Sequence, residues 1–182
     1  VNQANMKVVG IFAQKIQDPL LEWSLPELFL YGTDLATIQR AKALDQETRK
    51  ELQGKYNYTP EAGERLPVGL HKLRVKFSPS DGVKYRPKEV EKSLVVKPLK
   101  IRILAKGASR AYGVGNPDFG YVIDGRYVEQ DLDDLTAGLK LISEAGVTSV
   151  SGEYEISITG DYDGNNYEIE YVPGKLVVDK VV

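Results

Sequence analysis

The sequence contains no cysteine. Disulfides, thiolate metal sites and a cysteine nucleophile are therefore excluded. It contains a single histidine, His71, so neither a multi-histidine zinc site nor a histidine pair can be assembled. Long apolar runs are missing too. Stretches such as Val8-Val9-Gly10-Ile11-Phe12-Ala13 fall far short of the ~20 residues that a membrane-spanning helix needs. No secretory leader pattern is visible and the first residue is Val1, so the chain is expected to be an excised or processed segment. Neither sign of charge dominates: the net charge is −2. The distribution is nevertheless uneven. Residues 1–97 carry 16 Lys and Arg against 12 Asp and Glu, and residues 98–182 carry 8 against 14. That asymmetry suits head-to-tail contacts between modules. It gives no clustered basic face, so nucleic-acid binding is not expected.

What the sequence does have is an internal repeat. Tyr31-Gly32-Thr33 answers Tyr112-Gly113-Val114. Gly69-x-x-x-Leu73-x-Val75 answers Gly152-x-x-x-Ile156-x-Ile158. Tyr85 answers Tyr167, and Leu94-Val95-Val96 answers Leu176-Val177-Val178. The four landmarks keep their order with a spacing of 81 to 83 residues. So long a period means one full domain per repeat, not a solenoid unit. Pro98 falls at the join, between the strand-like runs Ser93–Lys97 and Leu99–Leu104. A stiff junction with almost no linker follows, because proline fixes its own φ and restricts the residue before it.

Alternation with period two marks the strands. Leu73, Val75 and Phe77 alternate with Lys72, Arg74 and Lys76. Tyr154, Ile156 and Ile158 alternate with Glu153, Glu155 and Ser157. Tyr167, Ile169 and Tyr171 alternate with Glu168 and Glu170. Each run has one apolar and one charged face, as in an antiparallel sheet solvated on one side. Turn signals at Ser80-Asp81-Gly82, Asp124-Gly125, Asp163-Gly164-Asn165 and Pro173-Gly174 separate the runs. The expectation is an all-β chain of two tandem immunoglobulin-like β-sandwich domains, 14–97 and 98–182. Residues 1–13 have no counterpart in the second copy and read as an N-terminal extension or the end of a preceding module. Two stretches depart from the pattern. Residues 40–53 are charged and rich in helix formers, which predicts a loop with one or two helical turns stopped by Gly54. Residues 129–145 read as a loop followed by a strand, with a short helix as the alternative.

Residues 99–179 resemble the bacterial MBG domain of the YGX type. The matching elements are Ala111-Tyr112-Gly113, Asn116-Pro117, Phe119-Gly120-Tyr121, Gly152-Glu153-Tyr154-Glu155-Ile156 and the run Asn166–Val178. Residues 20–97 resemble a second kind of bacterial Ig-like repeat through Trp23, Tyr31-Gly32-Thr33, Tyr58-Thr59-Pro60, Gly69, Phe77-Ser78-Pro79-Ser80-Asp81, Tyr85 and Leu94-Val95-Val96. There the charged segment 40–53 is longer and more polar than the pattern. The resemblance implies long bacterial cell-surface, adhesin or secreted proteins, an extracellular setting and no catalytic motif to carry over.

No residue stands out as catalytic, cofactor-binding or metal-ligating. Asp161-Tyr162-Asp163-Gly164-Asn165-Asn166 begins like a calcium loop, but Asn166 and Val172 stand where glycine and glutamate are required. The preferred reading is a hairpin turn, with calcium left open. Glu129, Asp131, Asp133 and Asp134 read as a solvated loop. His71 lies on the inward side of its strand and no triad surrounds it. Tyr112-Gly113-Val114-Gly115 matches no dinucleotide fingerprint, so its glycines are assigned to a turn. Tyr85, Tyr154, Tyr167 and Tyr171 fall on inward parities. Tyr85 and Tyr167 are expected to bond nearby backbone, as the tyrosine corner of immunoglobulin-like sandwiches does. The expected function is a non-catalytic stalk, spacer or adhesion segment without cofactor. Its expected partners are neighbouring Ig-like modules of the same chain. A glycan- or protein-binding module, including one that is an accessory part of a secreted enzyme, is the alternative.

Overall fold

The computed structural model describes residues 14–180. The N-terminal extension expected at residues 1–13 lies outside them. The strands in chain order are β1 (Leu20–Glu22), β2 (Phe29–Leu30), β3 (Lys42–Leu44), β4 (Gly54–Thr59), β5 (Gly69–Pro79), β6 (Lys88–Lys97) and β7 (Leu99–Ala105). They continue with β8 (Ala108–Ala111), β9 (Tyr121–Asp124), β10 (Lys140–Ile142), β11 (Gly152–Thr159), β12 (Tyr167–Val172) and β13 (Gly174–Asp179). Among the described residues helical structure is confined to short turns, the longest being α1 (Leu132–Leu135). The chain is all-β, as its alternating pattern requires.

The residues gather into two compact units. One comprises residues 14–26, 34–64 and 72–94. The other comprises residues 27–33, 65–71 and 95–180. In the first, β1 pairs antiparallel with β3 (Leu21 opposite Ala43) and β4 pairs antiparallel with β5 (Tyr56 opposite Phe77, Tyr58 opposite Val75). Its core is Leu21, Trp23, Leu35, Ile38, Ala41, Ala43, Leu73, Val75, Phe77 and Tyr85. Trp23 donates its indole N–H to the Ile38 carbonyl at 2.7 Å and meets Tyr58 edge to face at 5.7 Å. The indole therefore buries its area with its polar atom satisfied.

Residues 40–53 hold no helix, contrary to the expectation from their helix formers. Ala41 and Ala43 are buried at period two, which places 42–44 in strand β3. Asp45 then ends the strand. Its Oδ1 accepts from the Glu47 and Thr48 amides at 2.9 and 2.8 Å, a local bond that competes with the helical ladder. Arg49 follows in the left-handed region at φ +62°, and the chain returns through the Leu44–Glu51 bridge. Tertiary burial of two alanines and one side-chain acceptor outweigh propensity here.

In the second unit two sheets face each other, β10-β11-β13-β8 and β12-β7-β9. Ile156, Ile158, Leu176 and Val178 meet Leu99, Ile101, Ile103 and Tyr167, with Leu135 and Ala145 contributed by the connections. β11 and β12 belong to different sheets. The connection 160–166 therefore crosses between sheets and is not the hairpin turn expected there. Residues 129–135 form a 3-10 turn and the single turn α1, ahead of β10.

The strand pairings repeat as the sequence does. The parallel bridge Gln17–Tyr85 returns as the parallel pair Leu99–Tyr167. Antiparallel Glu22–Lys42 returns as Ile103–Ile123. Parallel Phe29–Val96 returns as Arg110–Val178, and antiparallel Tyr58–Val75 as Leu141–Ile158. The turns agree too: Gly32 and Gly113 both adopt left-handed backbone, at φ +72° and +80°, where only glycine is unstrained.

Candidate functional site

Tyr85 and Tyr167 are both buried, at the same place in the two copies. The expected bond to backbone is present at Tyr167, whose hydroxyl accepts the Val128 amide at 2.9 Å, and is missing at Tyr85. Both hydroxyls donate to a distant aspartate, Tyr85 to Asp45 Oδ2 at 2.5 Å and Tyr167 to Asp131 Oδ2 at 2.7 Å. A carboxylate is the stronger acceptor, and each lies in a connection between strands, Asp45 between β3 and β4 and Asp131 between β9 and β10. Of the remaining inward-parity tyrosines, Tyr154 and Tyr171 are only half-buried.

Asp45 has its acceptor capacity filled by its own turn and by Tyr85. The Thr48 amide, the Tyr85 hydroxyl and the Glu47 amide hold its carboxyl well below the usual carboxylate range, the Thr48 amide contributing most. A depressed native pKa means a contribution fully present above about pH 4 and lost as pH falls below it. Asp45→Asn keeps an oxygen for the turn but removes the charge. The variant is expected to melt lower at pH 7, and the gap to the parent chain should narrow as pH falls from 4 to 2. A gap independent of pH in thermal melts would rule this out.

Asp131 has a wider role. Besides Tyr167, its Oδ2 accepts from Tyr31 Oη at 2.9 Å, and its Oδ1 lies 3.9 Å from Arg65 Nη1. The Tyr31 and Tyr167 rings meet edge to face at 5.5 Å, and Tyr162 packs on Tyr167 at 5.9 Å. Tyr167 Oη also accepts the Val128 amide at 2.9 Å. Around this hub the Val68 amide donates to Asn166 Oδ1 at 3.0 Å, and Arg126 reaches the Tyr31 carbonyl at 3.2 Å and Thr33 Oγ1 at 3.3 Å. A Cβ on Gly32 would stand 2.7 Å from Val128 Cγ2. Segments 27–33 and 65–71 are thus seated on 126–131 and 166–167 by bonds to side chains and backbone alike. Burial raises the Tyr167 and Tyr31 phenols above their ordinary range, and the Asp131 carboxylate adds to it.

The other sequence candidates are dispersed. His71 is half-buried and its Nε2 contacts the Pro67 carbonyl at 2.7 Å. The Asp161 side chain packs over Gly138, at φ +62°, while Asp163 and Asn165 are exposed. Glu129 and Asp133 are exposed and Asp134 lies beside them, so Asp131 alone of that run is drawn inward. Among the described residues no three His, Cys, Asp or Glu side chains converge as a metal site would require. An open groove of about 400 Å³ crosses the outer face of β12, β7 and β9. It is lined by Lys100, Arg102, Asp124, Glu168 and Glu170, with Arg102 and Asp124 paired at 2.6 Å and Lys100 and Glu168 at 3.5 Å. These exposed pairs leave little net charge and contribute little stability. No aromatic ring lines the groove to stack a sugar.

Two facing sheets in the second unit define the class as an all-β sandwich. Within it, residues 101–177 match the family model of the MBG domain (YGX type). MBG domains are non-catalytic repeat modules of bacterial surface proteins. No curated protein matches the chain.

Proposed function

We propose that this chain is a non-catalytic spacer segment of a bacterial cell-surface or secreted protein, extending a distal binding part outside the cell. The observation that carries this reading is the Asp131 hub. Residues 27–33 and 65–71, which lie before Pro98 in sequence, are fixed by Tyr31, Arg65 and Val68 to residues 126–131 and 166–167. One residue, Pro98, separates β6 from β7. No flexible linker follows Lys97 for a protease to enter, and adjoining modules of the same chain are the natural partners of such a segment. Digestion with proteinase K tests this directly. The full-length band of 20.2 kDa is expected to persist without fragments ending between residues 94 and 104. Early cleavage there, giving two stable halves, would show a flexible join and defeat the spacer reading. A second reading, a protein-binding module, draws on the ionic groove across β12, β7 and β9. It predicts a partner whose capture weakens when salt screens Arg102 and Lys100.

A further inference from the structure

Residues 112–114, 147 and 150 form an apolar patch at one end of the second sandwich. Tyr112 is 43% exposed, Val114 54%, Val147 50% and Val150 71%. Tyr112, Val150, Ser151 and Lys180 line a shallow recess there. Its loops are rigidly held. Buried Arg110 bonds Asn116 Oδ1 and the Gly146 carbonyl, both at 2.6 Å, and Asn116 Nδ2 bonds the Ala145 carbonyl at 2.7 Å. The Gly113 amide reaches the Val147 carbonyl at 3.2 Å.

The internal repeat says what this patch is. Tyr112 corresponds to Tyr31, Gly113 to Gly32, and Val150-Ser151 to Pro67-Val68. The backbone agrees in detail. The Tyr31 amide bonds the Lys97 carbonyl and the Thr33 amide the Leu30 carbonyl. In the same places, the Tyr112 amide bonds the Asp179 carbonyl and the Val114 amide the Ala111 carbonyl. In the first copy this surface is occupied. Tyr31 is only 5% exposed, because Asp131, Tyr167, Val128, Arg126 and Asn166 cover it. In the second copy the matching surface stands open.

We propose that the Tyr112 patch is the seat for a further module of the kind formed by residues 99–180, joined after Lys180. That module presents its own counterparts of Arg126, Asp131, Asn166 and Tyr167 to the Tyr112 hydroxyl and the Ser151 amide. Lys180 in the recess supplies the cation that Arg65 supplies to Asp131. This rests on the spacer reading and extends it, since one interface would then recur along the chain. The first copy shows what the seat selects: an aspartate that accepts from two phenols, beside an asparagine that accepts a backbone amide. Asp45 could not serve as such a plug, because its own turn and Tyr85 already use its oxygens.

The test is a chain in which residues 1–180 are followed directly by a second copy of residues 99–180. Hydrogen exchange is compared with that of the present chain. The amides of 112–114 and 151 are expected to slow at least tenfold, while those of β13 stay unchanged. Val150→Asp in the seat, a change at a solvent-exposed residue, is expected to abolish the slowing. Equal exchange with and without the added copy overturns the proposal. So does an added copy whose β11 amides stay unprotected, because the seat is proposed to support this module. Slowing in the unextended chain as its concentration rises would make a second chain the occupant and also overturns it. None of these results bears on the proteolysis of residues 94–104, so the spacer reading can fail or stand separately.

Discussion

Phe77→Ala is expected to destabilise the first unit by about 3–5 kcal/mol, the range for truncating a fully buried phenylalanine. Phe77 has no exposed surface. Its ring packs against Tyr56 with centroids 4.9 Å apart, and a Cβ on Gly54 would come within 2.5 Å of it and collide with the Ser78 carbonyl oxygen. The close approach of Gly54 and Phe77 gives a second, sharper expectation. Gly54→Ala alone should cost roughly 1–3 kcal/mol by overpacking. In the Phe77→Ala background the ring no longer blocks the new methyl, although the Ser78 oxygen still does. The double variant should therefore lose less than the two single losses together, a coupling expected only between touching residues. Trp23 is the single tryptophan and sits in this same core. Urea unfolding followed by its fluorescence reads both results. A loss below about 1 kcal/mol for Phe77→Ala would mean that the site collapses around the missing ring.

What could be read from the sequence was whatever is local and periodic. Leu73, Val75 and Phe77, and later Ile156 and Ile158, announce their inward faces by alternation, and all five are buried. The repeat was legible because Tyr85 and Tyr167 hold equivalent places, Tyr85 bridged to Gln17 and Tyr167 paired with Leu99. Their partners were not. Asp45 lies 40 residues before its tyrosine and Asp131 36 before its own, in connections of different length and conformation, so no constant spacing links the pairs. Asp131 sits among Glu129, Asp133 and Asp134, and such a cluster reads as solvated. Only the folded chain shows that one of the four turns inward to meet two phenols. Residues 40–53 were misleading for a different reason. Helix propensity is a weak prior, and it yields where Ala41 and Ala43 are buried and Asp45 captures two amides.

Asp131→Ala should lower stability by about 2–4 kcal/mol, because hydrogen bonds to a charged acceptor contribute roughly 1.5–3 kcal/mol each and this carboxylate keeps some access to solvent. Two phenols lose their acceptor at once, Tyr31 and Tyr167, and Arg65 loses its nearest anion. Asp131→Asn retains a carbonyl acceptor for one of them and should fall between the variant and the parent. The pH dependence separates this from a mere packing loss. Burial first, and the Asp131 charge second, push both phenols above the ordinary tyrosine range. Groups with a raised native pKa give a contribution that is complete below about pH 10 and is lost as pH rises further, since the unfolded chain ionises first. Without the neighbouring anion the native phenols ionise more readily, so the variant has less of this contribution to lose. The stability gap between parent and Asp131→Ala should therefore narrow above pH 10, read by tyrosinate absorbance together with exchange of the β12 amides. A gap under about 0.5 kcal/mol at neutral pH would return Asp131 to the solvated loop. The spacer reading would then lose the charged contact on which it depends, leaving residues 27–33 and 65–71 held by the Tyr31–Tyr167 ring contact, the β2–β6 pairing and the Val68–Asn166, Arg65–Gln130 and Arg126 hydrogen bonds.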